Sequence, residues 1–212
     1  MKYNGIIFDL DGVLCHTDSY HYQAWKVIAD RLGVPFTPKD NDRLRGVSRM
    51  ESLEIILENY TGEALSAYDK ELLAEEKNNL FVKMLDGMSP ADLSAETKTA
   101  LEALRDKGLM LAVGSSSKNA MHILSRIGLD GWFDAVSDGN NIENSKPDPE
   151  VFLVAAWLLD LPPSDCLVVE DADAGVIAAA RGGFACAAMG SAAANPMAAY
   201  KISSPADLPA IV

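Results

Sequence analysis

Two aspartates follow the first apolar run of the chain, two positions apart. Residues 6–8 form a short apolar run, as expected of a buried strand. Asp9 follows it directly, and Asp11 comes two positions later. Side chains at positions i and i+2 of a strand point to the same face, so we expect both carboxylates at one place. Like charges there repel unless a cation or a proton lies between them. The pair therefore predicts a Mg²⁺ site, with one aspartate as nucleophile and the other as general acid/base.

Three more polar clusters follow apolar runs further along the chain. They occupy residues 114–119, 145–149 and 170–175. A strand, a polar loop and a helix form the repeating unit of a parallel sheet, and ligands bind such sheets beyond the carboxyl ends of the strands. We therefore expect all four clusters at one edge of the sheet. The alternative is four unrelated surface loops.

The order and spacing of these clusters resemble the haloacid dehalogenase superfamily of phosphotransferases. The resemblance covers nearly the whole chain and is carried by Asp9-x-Asp11-Gly12, Ser115, Lys146-Pro147 and Glu170-Asp171. Four clusters in order are far more specific than a lone acidic pair.

The resemblance implies a role for each of these residues. Asp9 attacks a phosphate monoester and becomes an aspartyl-phosphate, while Asp11 protonates the leaving oxygen. Ser115 and Lys146 bind the phosphoryl group during transfer. Mg²⁺ is held by Asp9, the backbone carbonyl of Asp11, and Asp171, with Glu170 beside it.

Each assignment has a simpler alternative. Glu170 and Asp171 fit the start of a helix, where acidic side chains are favoured. Lys146 fits a solvated surface position, although Pro147 and Pro149 favour a rigid turn. The polar residues at 116–119 fit ordinary helix capping, which is compatible with phosphate binding.

Composition limits the function classes. The 212 residues, 49% of them hydrophobic, suffice for one core and an insert. The net charge of −13 argues against nucleic acid as a partner. The three cysteines lack paired spacing, so we expect reduced thiols in the cytoplasm. We find neither a signal-peptide pattern nor a membrane-spanning apolar run.

The pattern predicts an α/β fold: a Rossmann-like parallel sheet with helices on both faces and an inserted α-helical cap. We predict a core at 1–15 and 89–212 and a cap at 16–88, with crossings at 15–19 and 85–90. The predicted cap helices are 20–32, 49–59 and 66–86, the last of them broken once. The predicted core helices are 95–107, 119–127, 149–159 and 174–182, and the later strands 110–113, 135–136, 167–170, 185–189 and 200–202.

The cap contains a glycine loop between two arginines, Arg45 and Arg49. Arginines beside a glycine bind anions bidentately while backbone N–H groups approach closely. The alternative is a helix-entry loop with solvated arginines. Within the superfamily the loop, together with residues 82–84 and 89–92, resembles the β-phosphoglucomutase family, although Arg45 stands where we expect lysine and Ala172 where serine is common.

That second resemblance implies a substrate site and a proton path. Arg49 grips the phosphate that is not transferred, together with Ser117 and Asn119, while Thr17 and His21 help Asp11 to handle the proton. The full implied set of substrate-binding residues is Gly46, Val47, Ser48, Arg49, Lys77, Asn78, Ser116, Ser117, Lys118 and Asn119.

The resemblance implies a Mg²⁺-dependent phosphomutase. It would interconvert β-D-glucose 1-phosphate and D-glucose 6-phosphate, with glucose 1,6-bisphosphate as intermediate and activator. Its partners would be small sugar phosphates, with no nucleic acid and no membrane, and we expect a monomer. The first alternative is a phosphatase for sugar phosphates or other small monoesters, with the same core. The second is a non-catalytic phosphosugar sensor. It is disfavoured because every catalytic position holds a residue that can perform the chemistry.

Overall fold

A computed structural model describes residues 2–212. Its centre is a six-stranded, wholly parallel sheet with strand order β3-β2-β1-β4-β5-β6. The first strand of the chain therefore lies in the middle, between β2 and β4. The carboxyl ends of these three strands share one edge, as the sequence predicts. The strands are β1 (Gly5–Phe8), β2 (Met110–Gly114), β3 (Ala135–Ser137), β4 (Cys166–Glu170), β5 (Ala185–Ala188) and β6 (Tyr200–Lys201).

Eight α-helices accompany the sheet in the described residues. They are α1 (Asp18–Arg31), α2 (Pro38–Asp42), α3 (Arg49–Leu57), α4 (Ala67–Leu85), α5 (Ala95–Asp106), α6 (Ala120–Arg126), α7 (Glu150–Leu158) and α8 (Asp173–Arg181). Short 3₁₀ helices span Pro90–Asp92, Pro163–Asp165, Gly190–Ala194 and Pro205–Ala210. None of the helices in residues 2–212 is long and apolar enough to cross a membrane.

Both faces of the sheet are covered, which confirms the predicted fold class. Ile6 and Phe8 of β1 belong to one apolar cluster, with residues of α5 and α6. Ile7 points the other way and belongs to a second cluster, with Phe152 of α7 and Val176 of α8. This alternation follows from the two-residue period of a strand.

The first helices after β1 share an apolar cluster that is separate from those on the sheet. Trp25 and Ile28 of α1 meet Leu53 of α3 and Leu73 of α4 there. This cluster supports the division into a cap at 16–88 and a core formed by the remaining residues, which stays a prediction. We use "cap" and "core" for these two parts below.

One prediction about the cap helices is wrong, and one short helix was missed. The segment predicted to break once is a continuous 19-residue helix, α4. It contains no glycine or proline that would interrupt the hydrogen-bond ladder, and Ser66 with Asp69 closes its start as a capping box. The short helix α2 was not predicted, because five residues are too few to show a period. The other boundaries differ from prediction by one or two residues.

Candidate active site

The end of β1 brings Asp9 and Asp11 to the sheet edge with different partners. Asp9 is 7% exposed and lies among the core carboxylates, whereas Asp11 accepts a hydrogen bond from Thr17 Oγ1. Gly12 turns the chain directly after Asp11 with φ = +92°, and a Cβ there would lie 2.1 Å from Asp171 Oδ2. Only glycine fits this turn, because it tolerates the left-handed backbone and leaves room for Asp171.

The end of β4 supplies two further acids with unequal engagement. Glu170 Oε2 accepts hydrogen bonds from the backbone N–H groups of Asp171 and Ala172, at 2.8 and 2.9 Å. A Cβ on Gly175 would lie 1.8 Å from Glu170 Oε1, so the helix start leaves room for this side chain. The N-cap of α8 is Ala172, and it makes no side-chain cap bond. Neither acid is the N-cap residue.

Lys146 joins the two strand ends. Its ammonium is fully buried and lies 2.5 Å from Asp9 Oδ1 and 2.6 Å from Glu170 Oε1, with the Phe152 ring 4.6 Å away. Burial alone would lower the pKa of Lys146, but the two carboxylates outweigh burial and raise it. The lysine is therefore a fixed cation of the site and not a solvated surface residue.

Lys146 alone does not neutralise the three acids of the core, Asp9, Glu170 and Asp171. Oxygen atoms of Asp9, Glu170 and Asp171 lie within 4.8 Å of one another. Burial raises the pKa of Asp9 well above its ordinary value, and although Lys146 opposes this shift, Glu170 and Asp171 add to it. Burial and Glu170 raise the pKa of Asp171 to about 7. A buried group of hard oxygen donors with excess negative charge has the chemistry of a Mg²⁺ site.

The loop after β2 lies beside these acids. Ser115 is almost fully buried, and its Oγ accepts a hydrogen bond from Ser117 N at 3.1 Å. Ser117 Oγ in turn accepts from Asn119 N at 3.2 Å. Asn119 makes no side-chain cap bond to α6, although it occupies the N-cap position. Its amide instead donates to Asn78 Oδ1 in the cap at 2.9 Å, so capping alone does not account for it.

The cap side of the site carries a second buried lysine. Lys77 Nζ lies 2.8 Å from His21 Nδ1 and over the rings of Trp25 and Phe81, at 5.1 and 4.5 Å from their centroids. Burial and then Arg49 lower the pKa of Lys77 to about 7. Burial, Lys77 and Arg49 likewise lower the pKa of His21 well below its ordinary value.

Arg49 completes this group of cations. Burial lowers the pKa of its guanidinium. Among residues 2–212 no carboxylate lies within salt-bridge distance of it, although the sequence holds 31 acidic residues. Ser48, just before it, caps α3 by accepting from Glu51 N at 3.2 Å. The Ser48 hydroxyl is thus already engaged, and its substrate role stays a prediction.

One cavity of about 480 Å³ lies between cap and core and collects most of the predicted site residues. Three predicted residues do not line the cavity but contact residues that do. Thr17 is hydrogen-bonded to Asp11, Asn78 to Asn119, and Lys146 to both Asp9 and Glu170. The predicted residues that line it are Asp9, Asp11, His21, Gly46, Val47, Ser48, Arg49, Lys77, Ser115, Ser116, Ser117, Lys118, Asn119, Glu170 and Asp171.

The sequence missed several lining residues. Trp25 lies four positions after His21, and Ala74 lies three before Lys77, so helical spacing was a usable signal for both. Asp18 and Asn41 gave no such signal. The further missed residues are Leu44, Met50, Ser52, Glu71, Glu75, Gly139, Ile142 and Glu143. Arg45, Ser145 and Ala172, which belong to the loop and clusters named from the sequence without a site role of their own, also line the cavity.

The chain is similar to known proteins over most of its length. The model of the haloacid dehalogenase-like hydrolase family matches residues 3–183. The β-phosphoglucomutase of Bacillus subtilis (strain 168) is 40% identical over 176 residues, covering 82% of this chain and 77% of that protein. The phosphorylated carbohydrates phosphatase of Thermotoga maritima is 32% identical over 185 residues, covering 84% of this chain and 81% of that one.

A solved structure agrees with these sequence similarities. The crystal structure of a β-phosphoglucomutase from Clostridium difficile superposes with a TM-score of 0.91 at 35% identity. The match covers 97% of this chain and 93% of that one. The similarity therefore includes the cap as well as the sheet.

Proposed function

The chain belongs to the haloacid dehalogenase-like hydrolase family, and we propose that it is a β-phosphoglucomutase within it. In this proposal the enzyme interconverts β-D-glucose 1-phosphate and D-glucose 6-phosphate. Asp9 carries the phosphoryl group, and glucose 1,6-bisphosphate is the intermediate. The sugar is phosphorylated at each end in turn, so the cavity must hold two phosphates at once.

The observation that carries this proposal is the unpaired cation in the cap. Arg49 lines the cavity without a carboxylate partner among the described residues, and Lys77 beside it has neutral partners. Desolvated cations that lack a counter-ion have a high affinity for an anion that reaches them. A phosphatase needs a single phosphate position at the core, whereas a mutase needs this second one.

On the core side, the side chains would work as follows. Asp9 Oδ1 is tied to Lys146, which leaves Oδ2 to attack phosphorus in line with the leaving oxygen. Lys146 and Ser115 would hold the oxygens of the transferring group and compensate its growing charge. Ser117 and Asn119 would share the distal phosphate with Arg49.

The proton would be handled at Asp11. Burial raises the pKa of this carboxyl, and the hydrogen bond from Thr17 lowers it in part. A raised pKa suits a group that gives a proton to the leaving oxygen and takes one from the attacking hydroxyl. Thr17 would orient Asp11, and His21 would assist it from the cap.

Magnesium fits the core acids, and we propose that Asp9, Asp171 and the backbone carbonyl of Asp11 hold it, with Glu170 beside them. The bound ion would offset the repulsion between carboxylate and phosphate. Chelation with EDTA should abolish turnover, and Asp171→Ala should strongly weaken activation by Mg²⁺. Full activity in excess EDTA would contradict the metal assignment.

The deciding experiment compares two products from one substrate. β-D-glucose 1-phosphate is supplied with a catalytic amount of glucose 1,6-bisphosphate. Glucose 6-phosphate is followed by a coupled assay and inorganic phosphate by a release assay. We expect glucose 6-phosphate to dominate. Dominant phosphate release would favour the phosphatase, the activity for which the Thermotoga maritima relative is named.

A further inference from the structure

One cavity residue makes charge contacts with three carboxylates and has no role in the reaction described above. Arg45 Nη2 lies 2.7 Å from Asp18 Oδ2, and Nη1 lies 3.6 Å from Asp171 Oδ2. Its Nε lies 3.7 Å from Asp42 Oδ1 and is buried without a hydrogen bond. Asp18 begins α1 in the cap, and Asp171 follows β4 in the core. A single guanidinium therefore connects the two parts of the chain.

The two terminal contacts of Arg45 differ in strength. Arg45 and Asp18 form a close ion pair at 2.7 Å, whereas the 3.6 Å separation from Asp171 is a looser one that exceeds hydrogen-bond length. The contact to the core is therefore the one that breaks first. Because Asp18 retains the guanidinium, Arg45 stays with the cap when it leaves Asp171.

Arg45 also differs from the other cation at the acid group. Lys146 is fully buried and hydrogen-bonded to two carboxylates, so it cannot leave without stranding them. The Arg45 side chain is 32% exposed and touches only the third acid, Asp171. Three carboxylates against one fixed ammonium leave excess negative charge, and Arg45 supplies the only displaceable positive charge within 4 Å in the part of the chain described.

We propose that Arg45, held by Asp18, is a displaceable counter-ion of the metal group that makes metal binding and cap closure compete. Without metal it covers Asp171 and draws the cap loop onto the core. A divalent cation at Asp171 repels the guanidinium and weakens that contact. The proposal rests on the magnesium site proposed above.

Other contacts set the size of the effect. Ser116 Oγ donates to Gly46 O at 2.9 Å, and Asn119 donates to Asn78 at 2.9 Å, both from core to cap. These neutral hydrogen bonds do not respond to a cation. Release of Arg45 therefore shifts the balance of open and closed caps and does not abolish closure. By linkage, Mg²⁺ weakens cap closure by the same factor by which closure weakens Mg²⁺ binding. A variant without the Arg45 contact should therefore bind Mg²⁺ more tightly.

The first test is a calorimetric titration with Mg²⁺ and no substrate. In Arg45→Met the dissociation constant should fall about five- to tenfold, within the usual range of such couplings. The matched control is Arg43→Met, which removes the same charge from the same loop. Arg43 pairs with Glu58 at 2.8 Å on the exposed surface, so its loss should change the constant by less than about twofold. Equal affinities in the two variants, or weaker binding in Arg45→Met, would overturn the proposal.

A double-mutant cycle tests whether Asp18 acts through Arg45. Asp18→Asn frees the guanidinium for Asp171, so Mg²⁺ should bind about three- to fivefold more weakly, and this effect should largely vanish beside Arg45→Met. Arg45→Lys should fall between wild type and Arg45→Met, because one ammonium cannot span both acids as the guanidinium fork does. An Asp18→Asn effect of the same size in both backgrounds would refute the coupling.

Closure is read directly from a distance between spin labels. Leu72→Cys in the cap and Met121→Cys in the core are exposed sites, and the three native cysteines are buried. Mg²⁺ should shift the wild-type distance distribution towards longer values and leave that of Arg45→Met unchanged. An unchanged wild-type distribution would overturn the proposal. Absence of any Mg²⁺ binding by the wild type would instead overturn the metal site itself.

Discussion

Two buried lysines lie at the site, one from each part of the chain, and their pKa values are shifted in opposite directions. Lys146 in the core is 0% exposed and hydrogen-bonded to two carboxylates, and its pKa is raised. Lys77 in the cap is 3% exposed and contacts a histidine and two aromatic rings, and burial and Arg49 lower its pKa to about 7. Burial is nearly equal, so the partners decide the difference.

The contrast extends to the surroundings of the two lysines. The core edge gathers acids around one fixed cation, while the cap gathers His21, Arg49 and Lys77 with no carboxylate paired to Arg49 in residues 2–212. In the proposed reaction the core therefore supplies the groups that react, and a metal would balance its charge. The cap would supply positive charge for an anion that only the substrate brings. We expect substitutions in the two regions to have different consequences.

The largest effect is expected from the core nucleophile. Asp9→Asn keeps the shape but removes the attacking oxygen, so turnover should fall on the order of 10⁴-fold or more. Labelling by a phosphoryl donor, followed by mass spectrometry, should also disappear. Binding of glucose 6-phosphate, measured by calorimetry, should persist because the cap cations are intact. Asp165→Asn, at a half-buried acid just before β4, is the control. Phosphorylation found on Asp11 or a serine would refute the assignment.

The fixed cation of the core should matter most for stability. Lys146→Met leaves Asp9 and Glu170 buried without their partner, so the free energy of unfolding should fall by about 3–5 kcal/mol. Denaturation by urea at pH 7 measures it, with Lys98→Met on the exposed face of α5 as control. A variant as stable as the control would mean that the two acids are neutral without the lysine.

Arg49 tests the cap alone. Arg49→Ala should lower kcat/KM for β-D-glucose 1-phosphate tenfold to several hundredfold, about 1.5–3 kcal/mol for a charge-assisted contact. Phosphorylation of Asp9 by acetyl phosphate should stay near the wild-type rate, because that donor has no second phosphate. Arg31→Ala, which breaks the exposed pair with Glu76, is the control. Equal damage to both reactions would place the effect on the fold, and no damage would remove the main support for a mutase.

A pH-dependent gain in stability is expected at Lys77. Its folded pKa of about 7 lies below the unfolded value of about 10.4, so between these values the unfolded chain binds more protons. Wild-type stability should therefore rise relative to Lys77→Met as the pH increases from 7 to 10. Because each pKa unit corresponds to about 1.4 kcal/mol, the difference should change by several kcal/mol over this range, with the variant the more stable at pH 6. Unfolding curves from pH 6 to 10 measure the difference, and a constant difference would contradict the shifted pKa.

The same contrast explains how far the sequence could predict the molecule. Asp9, Ser115 and Asp171 follow directly on apolar strands, and a parallel sheet brings strand ends together, so their proximity could be read from local patterns. Lys146 was assigned only by resemblance, since spacing alone left a surface lysine as an alternative. The predicted break in α4 is wrong because the segment contains no glycine or proline that would interrupt a helix.

The cap was harder to predict because its contacts depend on how helices face one another. His21 and Trp25 share a face of α1, and Lys77 and Phe81 share one of α4, so each pair was readable at i,i+4 spacing. The contact between His21 and Lys77, which are 56 positions apart, could not be predicted from such spacing. The bridge from Asp18 through Arg45 to Asp171 was likewise invisible, since it joins a helix start, a loop and a strand end.

The central place of β1 has a consequence for how the chain is made. Residues 5–8 are synthesised before both strands they pair with, because their hydrogen-bonded neighbours begin at Met110 and Cys166. The cap helices, whose contacts are closer in sequence, can form while β1 still lacks both partners. A fully buried, central strand of the finished protein is thus an unpaired apolar segment until β2 and β4 have been synthesised. Chaperone dependence and slow maturation should follow from the strand order, independently of catalysis.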